Sequence, residues 1–314
     1  MTVSAPASTS AKPAEGGRRR GKAPLSEGAR AERRLGWLLC APAAIIMVAV
    51  TAYPMVYAVI LSLQRYDLRF PQAAHFIGLS NYWAVLSSPY FHEALVVTII
   101  ITVVSVAIEF VLGMGLAILM HRTLVLRGTL RTSVLIPYGI VTVVAAFSWQ
   151  YAWTPDEGYL SHLFGNAAPL TSRAASLAII ILAEVWKTTA FMALLLMAGL
   201  SLVPEDLQKA AKMDGATAWQ RFVKITLPLM KPAILVALLF RTLDAFRIFD
   251  NIFILTQGNN GTGSLSILGY DNLFTALNLG VGSAISIIMF ICVAIIAVIF
   301  IKLFGAAAPG VGTR

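Results

Sequence analysis

Six long apolar runs dominate the chain, at roughly 36–63, 91–120, 132–153, 176–199, 232–256 and 283–304, with polar or Pro/Gly-bearing segments between them. A helix needs about 20 mainly apolar residues to cross the hydrocarbon layer of a bilayer, and each run is long enough. Composition agrees. Of all residues, 58% are hydrophobic and 12% charged, whereas a soluble domain keeps about a quarter of its residues charged. The runs predict an all-α integral membrane protein with six transmembrane helices, embedded among membrane lipids.

A formal net charge of +9 would suit nucleic acid or an acidic partner, but its distribution points elsewhere. Residues 1–34 hold eight Lys/Arg, 121–131 three, 201–231 five, and the C-terminal end two, Lys302 and Arg314. The alternate segments hold Arg65, Arg69 and Arg173, and 257–282 has none. Positive residues accumulate on the cytoplasmic side of a membrane. Eighteen against three places both termini inside, and the charge orients the chain rather than binding nucleic acid.

The organisation expected is a disordered basic cytoplasmic tail over 1–34, a six-helix domain over 35–304, and a short cytoplasmic tail over 305–314. The first segment is rich in Ala, Pro, Gly, Ser and Arg without apolar periodicity, too polar to bury a core. Gly16, Gly21 and Lys22 match the start of a phosphate-binding loop. Ala23, however, stands where a Ser/Thr should ligate magnesium, so no nucleotide site is expected there. Residues 64–90 carry Tyr66, Phe70, Phe76, Tyr82, Trp83 and Tyr90, ring types that settle at a membrane interface. Gly113, Gly115 and Ala117 in the second run allow close helix approach.

Residues 201–231 read SLVPEDLQKAAKMDGATAWQRFVKITLPLMK. Pro204 suits a helix start, and Glu205 and Asp206 complement its positive end. Gly215 permits a sharp break, Thr217–Ile225 forms a second short amphipathic piece, and Leu227-Pro228 closes it. On physics alone two readings stay open: a compact knob on which another protein docks, or a pair of helices lying on the membrane surface.

Ala210-Ala211, Asp214-Gly215-Ala216, Ile225 and Leu227-Pro228 resemble the cytoplasmic loop of permease subunits of bacterial ABC importers. Lys209 departs from that pattern, which has a glutamate there. The segments Val185-Trp186-Lys187 with Phe191-Met192, and Phe240 to Asp250, resemble the carbohydrate-uptake branch, and the likeness runs from about 35 to 304. Overall the chain is similar to the first of two permease subunits of trehalose importers. The resemblance implies a type I ABC importer permease fold in a bacterial cytoplasmic membrane and a non-catalytic subunit. It also implies partners: a second homologous permease, two copies of a cytoplasmic ATPase that bind ATP and Mg, and an external sugar-binding lipoprotein or binding protein. Lys209, Ala210, Ala211, Asp214, Gly215 and Ala216 would then couple to the ATPase, and no cofactor would belong to this chain itself.

Charges inside the apolar runs raise a separate question. Arg241, Asp244, Arg247 and Asp250 fall three apart, so each neighbours the next along a helix. Glu184 and Lys187 repeat that spacing. One charge at the bilayer centre costs about 2.5–3.5 kcal/mol, and four facing lipid would cost on the order of 10 kcal/mol. They must form an ion-pair ladder that fixes helix registry, or line a polar cavity for a hydroxyl-rich solute. The resemblance to maltose-type permeases implies solute contacts at Glu184, Thr188, Phe191, Arg241 and Asp244. Ala245 and Ile248 occupy matching positions but lack polar groups, and Asp250 and Asn251 lie deeper along the same helix. His75, His92, His121 and His162 are scattered without metal-ligand spacing, so neither a metal site nor a catalytic constellation is expected. An ion-coupled secondary transporter using Glu184, Asp244 or Asp250 is the rival reading; the inverted repeat such proteins often carry is not detectable.

Overall fold

A computed structural model describes residues 27–122 and 127–307. The phosphate-loop-like Gly16–Lys22 stretch, most of the basic tail and residues 308–314 lie outside the described residues. Two compact units divide the chain between Met55 and Val56. The first is described from Glu27 and belongs to helix α1 (Glu27–Ser62). This helix starts nine residues before the expected apolar run, because Ala, Arg and Glu at 29–34 are strong helix formers.

In the second unit, a hairpin of β1 (Gln64–Arg65) and β2 (His75–Phe76) pairs Gln64 with Phe76 and Arg65 with His75. Then follow α2 (Ser80–Leu86), α3 (Pro89–Arg122), α4 (Arg127–Gly139), α5 (Thr142–Ala152), α6 (Tyr159–Leu163) and α7 (Arg173–Leu200). Residues 201–231 contain α8 (Glu205–Met213), α9 (Ala218–Arg221) and α10 (Leu227–Leu229). The chain ends with α11 (Lys231–Ala245), α12 (Asp250–Leu255), α13 (Leu265–Tyr270) and α14 (Leu279–Ala307).

Four described helices are long and apolar enough by themselves to cross a membrane: α1, α3, α7 and α14. The expected third span is bent, and so is the junction between 201–231 and the expected fifth span. α4 and α5 meet at 92°, and the helical stretch from Ala218 to Leu229 meets Lys231–Leu255 at 70°. Counting each bent pair as one crossing gives up to six. Pro137 sits three residues before the first break, where its missing N–H weakens the helix.

The second unit packs around α3 and α7. Toward one end of these helices, Val97, Ile101, Ile179, Ile180 and Ala183 form a core with Ile252 and Leu255 of α12. Toward the other, Val106, Met114, Ala117, Met192 and Leu196 pack with Met230 and Ala237. Close approach depends on missing side chains. A Cβ on Gly113 would come within 2.8 Å of Met192, and one on Gly199 within 2.6 Å of Ala233. Gly115, by contrast, faces open space, so only Gly113 and Ala117 of that small-residue group serve packing.

Candidate functional site: a polar cavity within the spans

Between those two apolar cores, near the middle of α3 and α7, lies a knot of charge. Arg241 on α11 is 0% exposed. Its Nε and Nη2 both donate to Glu109 of α3, with Nη2 at 2.9 Å from Oε1. Nη2 also donates to Glu184 Oε1 of α7 at 2.6 Å, and Nη1 to Asp244 Oδ2 at 2.6 Å. Thr188 Oγ1 lies 2.8 Å from Glu109 Oε1 and 2.6 Å from the carbonyl oxygen of Glu184, its single proton serving one at a time. Asn251 Nδ2 donates to Glu184 Oε2 at 2.5 Å. One guanidinium fork thereby ties three helices, as its planar set of donors allows.

The knot forms one wall of a cavity of about 440 Å³ lined by Tyr138, Thr142, Glu184, Lys187, Thr188, Asp244, Arg247, Ile248, Phe249, Asp250 and Asn251. Three of the five expected solute-contact residues, Glu184, Thr188 and Asp244, lie on this wall. Arg241 stands behind it, holding two of the lining carboxylates in place. Phe191 does not line it; its ring stacks on Tyr138, which does, at 5.5 Å between centroids. Lys187 Nζ sits 5.8 Å above the same Tyr138 ring.

The expected ladder forms only its first rung. α11 stops at Ala245, and 246–249 turn before α12 begins at Asp250. Arg247 and Asp250 therefore leave the face shared by Arg241 and Asp244, and Arg247 Nε donates to the Leu243 carbonyl. Among the described residues no ion pair joins Glu184 to Lys187; Glu184 turns to Arg241 and Asn251 instead. The turn is held from outside the helix. Ser264 Oγ donates to the Ile248 carbonyl at 3.0 Å and accepts from Ile267 N at 3.3 Å, capping α13. Gln150 of α5 reaches the Ile254 carbonyl at 2.8 Å. Sequence reasoning missed Tyr138 and Thr142 of the cavity wall and Glu109 behind it, although for Glu109 a lone carboxylate inside an apolar run carried the signal.

The segment 201–231 is built differently. α8 ends in a Schellman arrangement: Gly215 N donates to the Lys212 carbonyl and Ala216 N to the Ala211 carbonyl, at 3.2 and 2.9 Å. Gly215 takes φ +79°, the left-handed conformation this cap requires and glycine adopts freely. Thr217 and Gln220 form a reciprocal capping box at the start of α9. Gln208 and Arg221 brace the two helices inward, to Thr226 Oγ1 and the Ala216 carbonyl. Outward, Met213 is 87% and Trp219 71% exposed, with Leu202, Leu207 and Ala210 also exposed. Lys209, the departure from the expected glutamate, pairs within its own helix with Glu205 and Asp206 at 3.4 and 3.8 Å.

Comparison with known proteins agrees with this architecture. Residues 109–309 match the model of the binding-protein-dependent transport system inner membrane component family. The chain is 66% identical to the trehalose transport system permease protein SugA of Mycobacterium tuberculosis, over 89% of this chain and 92% of that one. It is 39% identical to the trehalose/maltose transport system permease protein MalF of Thermococcus litoralis, over 86% and 94%. In fold it is similar to a chain of a bacterial ABC transporter involved in the import of the acidic polysaccharide alginate. The TM-score there is 0.76 at 22% identity, over 90% of this chain and 100% of that one. Four to six apolar crossings, a polar cavity at mid-span and a family match over most of the chain lead to one assignment: this protein belongs to the binding-protein-dependent transport system inner membrane components, as a multi-pass ABC importer permease.

Proposed function

We propose that the chain forms half of the path by which an ATP-driven importer carries a disaccharide, trehalose, across a bacterial cytoplasmic membrane, with both termini inside. The observation that carries this reading is the mid-span cavity, whose wall presents carboxylate, amide, hydroxyl and ammonium groups from two broken spans and α7. Such a wall exchanges hydrogen bonds with a hydroxyl-rich solute that would otherwise leave its hydration shell unreplaced. Identity of 66% to a relative named for trehalose supports that sugar. Glu184, Thr188 and Asp244 meet the solute, Arg241 orients the two carboxylates, and Phe191 braces Tyr138.

Half a path requires a second, homologous permease. Energy enters through 201–231, where Ala210, Ala211, Asp214, Gly215 and Ala216 form a surface that a cytoplasmic ATPase can approach closely. Two ATPase copies bind ATP and Mg, and an external binding protein delivers the sugar. The ion-coupled reading gains no support, since the family to which the chain belongs is defined by dependence on a binding protein.

The test is uptake of labelled trehalose by the complete importer in vesicles, with unlabelled disaccharides as competitors. Trehalose should compete better than maltose or sucrose. Equal competition by all three would contradict the assignment of the sugar, and absence of any sugar uptake would contradict the function.

A further inference from the structure

Phe249 belongs to the wall of the polar cavity and also to that of a second cavity of about 280 Å³, shared with Tyr270, Phe274, Ser266 and Ser286. Its ring is one of a connected series. Phe249 stacks on Phe253 at 5.2 Å, both lie 5.2 Å from Tyr270, and Tyr270 lies 4.9 Å from Phe274. We infer that Phe249, Tyr270 and Phe274, the rings of this series that line the two cavities, form a stacking path that passes a pyranose ring from the outer mouth to the polar cavity. The inference rests on the carbohydrate-importer reading above and adds to it a second subsite of a different chemistry.

Three observations carry it. First, the run is graded: Phe274 is 65% exposed, while Tyr270, Phe253 and Phe249 are half-buried. Second, the exposed end lies in 257–282, the segment without Lys or Arg that the charge rule puts outside. Third, the backbone around Phe274 leaves the regular helix. Residues 271–275 form a wide π-type turn in which Ala276 N donates to the Asp271 carbonyl at 2.7 Å, a distortion frequent at functional sites.

A pyranose has two faces of C–H bonds and an edge of hydroxyls. Aromatic faces carry negative quadrupole charge that attracts such polarised C–H groups, and they do so with little dependence on rotation about the ring normal. A sugar can therefore move from ring to ring without breaking a fixed set of hydrogen bonds. Hydrogen-bonding groups wait at Glu184, Thr188 and Asp244, where the solute must be oriented.

The test uses the complete importer in vesicles with Phe274→Leu, Tyr270→Leu and Phe274→Tyr variants. Leucine keeps apolar volume and removes the ring; tyrosine keeps the ring. Each leucine variant should lower sugar uptake about three- to tenfold, while Phe274→Tyr stays within about twofold of wild type. ATP hydrolysis stimulated by loaded binding protein should be unchanged in all three. Leucine variants that transport like wild type, or a tyrosine variant as impaired as leucine, would overturn the path. If the wild-type importer itself moves no labelled disaccharide, it is the function that fails instead.

Discussion

Two charged regions of this chain solve the same problem in opposite ways. Around Arg241, acids from α3, α7 and α11 converge on one guanidinium that is entirely buried, and every charge meets a partner within the chain. In 201–231, Lys209 is 70% exposed and its partners Glu205 and Asp206 still more so, while large apolar side chains point outward beside them. The first region is finished by folding; Arg241 or Glu109 left unpaired would have no water to turn to. The second is held rigid from within by a Schellman cap, a capping box and two inward side-chain bonds, and its outer face is left for another molecule. On the proposed function, the solute site is preorganised by the chain itself, whereas the coupling surface needs only to be stiff.

That contrast breaks most sharply at Arg241. Arg241→Leu leaves Glu109 and Glu184 buried without their partner and should cost about 3–5 kcal/mol, read as loss of folded chain in detergent thermal unfolding. Replacing Glu109, Glu184 and Arg241 together by Gln, Gln and Met should recover most of that stability without restoring uptake. A triple variant as unstable as Arg241→Leu would mean that packing, not charge pairing, holds the three helices.

Gly215→Val should have the next largest effect. A β-branched residue at φ +79° costs about 1–2 kcal/mol locally, which is a factor of about 5–30 in the population of the docking-competent loop. ATPase retained on the purified complex, and uptake with it, should fall by a factor in that range while the thermal midpoint of the chain stays put. A fall in midpoint as large as that of Arg241→Leu would erase the distinction between the regions.

Thr217→Ala removes one half of the capping box and should loosen α9 by about 1 kcal/mol, seen as faster amide exchange confined to 217–226. Lys209→Ala comes last. Its pairs are exposed and span 3.4 and 3.8 Å, so stability should shift by less than about 0.5 kcal/mol. A larger shift would show that Lys209 does more than pair within its own helix.

The membrane character and the approximate positions of the spans were legible in the sequence because apolar length is a one-dimensional signal. The breaks were not. Pro137 only hints at the bend between α4 and α5, and nothing between Phe246 and Phe249 is a Gly or Pro to mark the break between α11 and α12, where the turn is held from elsewhere in the chain by Ser264 Oγ donating to the Ile248 carbonyl. The three-residue charge spacing consequently suggested a continuous ladder that the fold interrupts after one rung. Motif likeness brought Glu184, Thr188 and Asp244 together, and the structure places them on one cavity wall and adds Glu109 behind it, whose partner is 132 residues away. No local pattern links residues so distant. Gly215, in contrast, was readable outright, since its cap depends only on its neighbours.

On this reading the chain supplies half of the solute path while the energy comes from outside it. Vesicle uptake of labelled trehalose tests this most directly, comparing the complete importer supplied with ATP and binding protein against the purified chain alone under a proton or sodium gradient. Uptake should occur in the first and be absent from the second. Gradient-driven uptake by the chain alone would show that the chain is instead a self-contained secondary transporter.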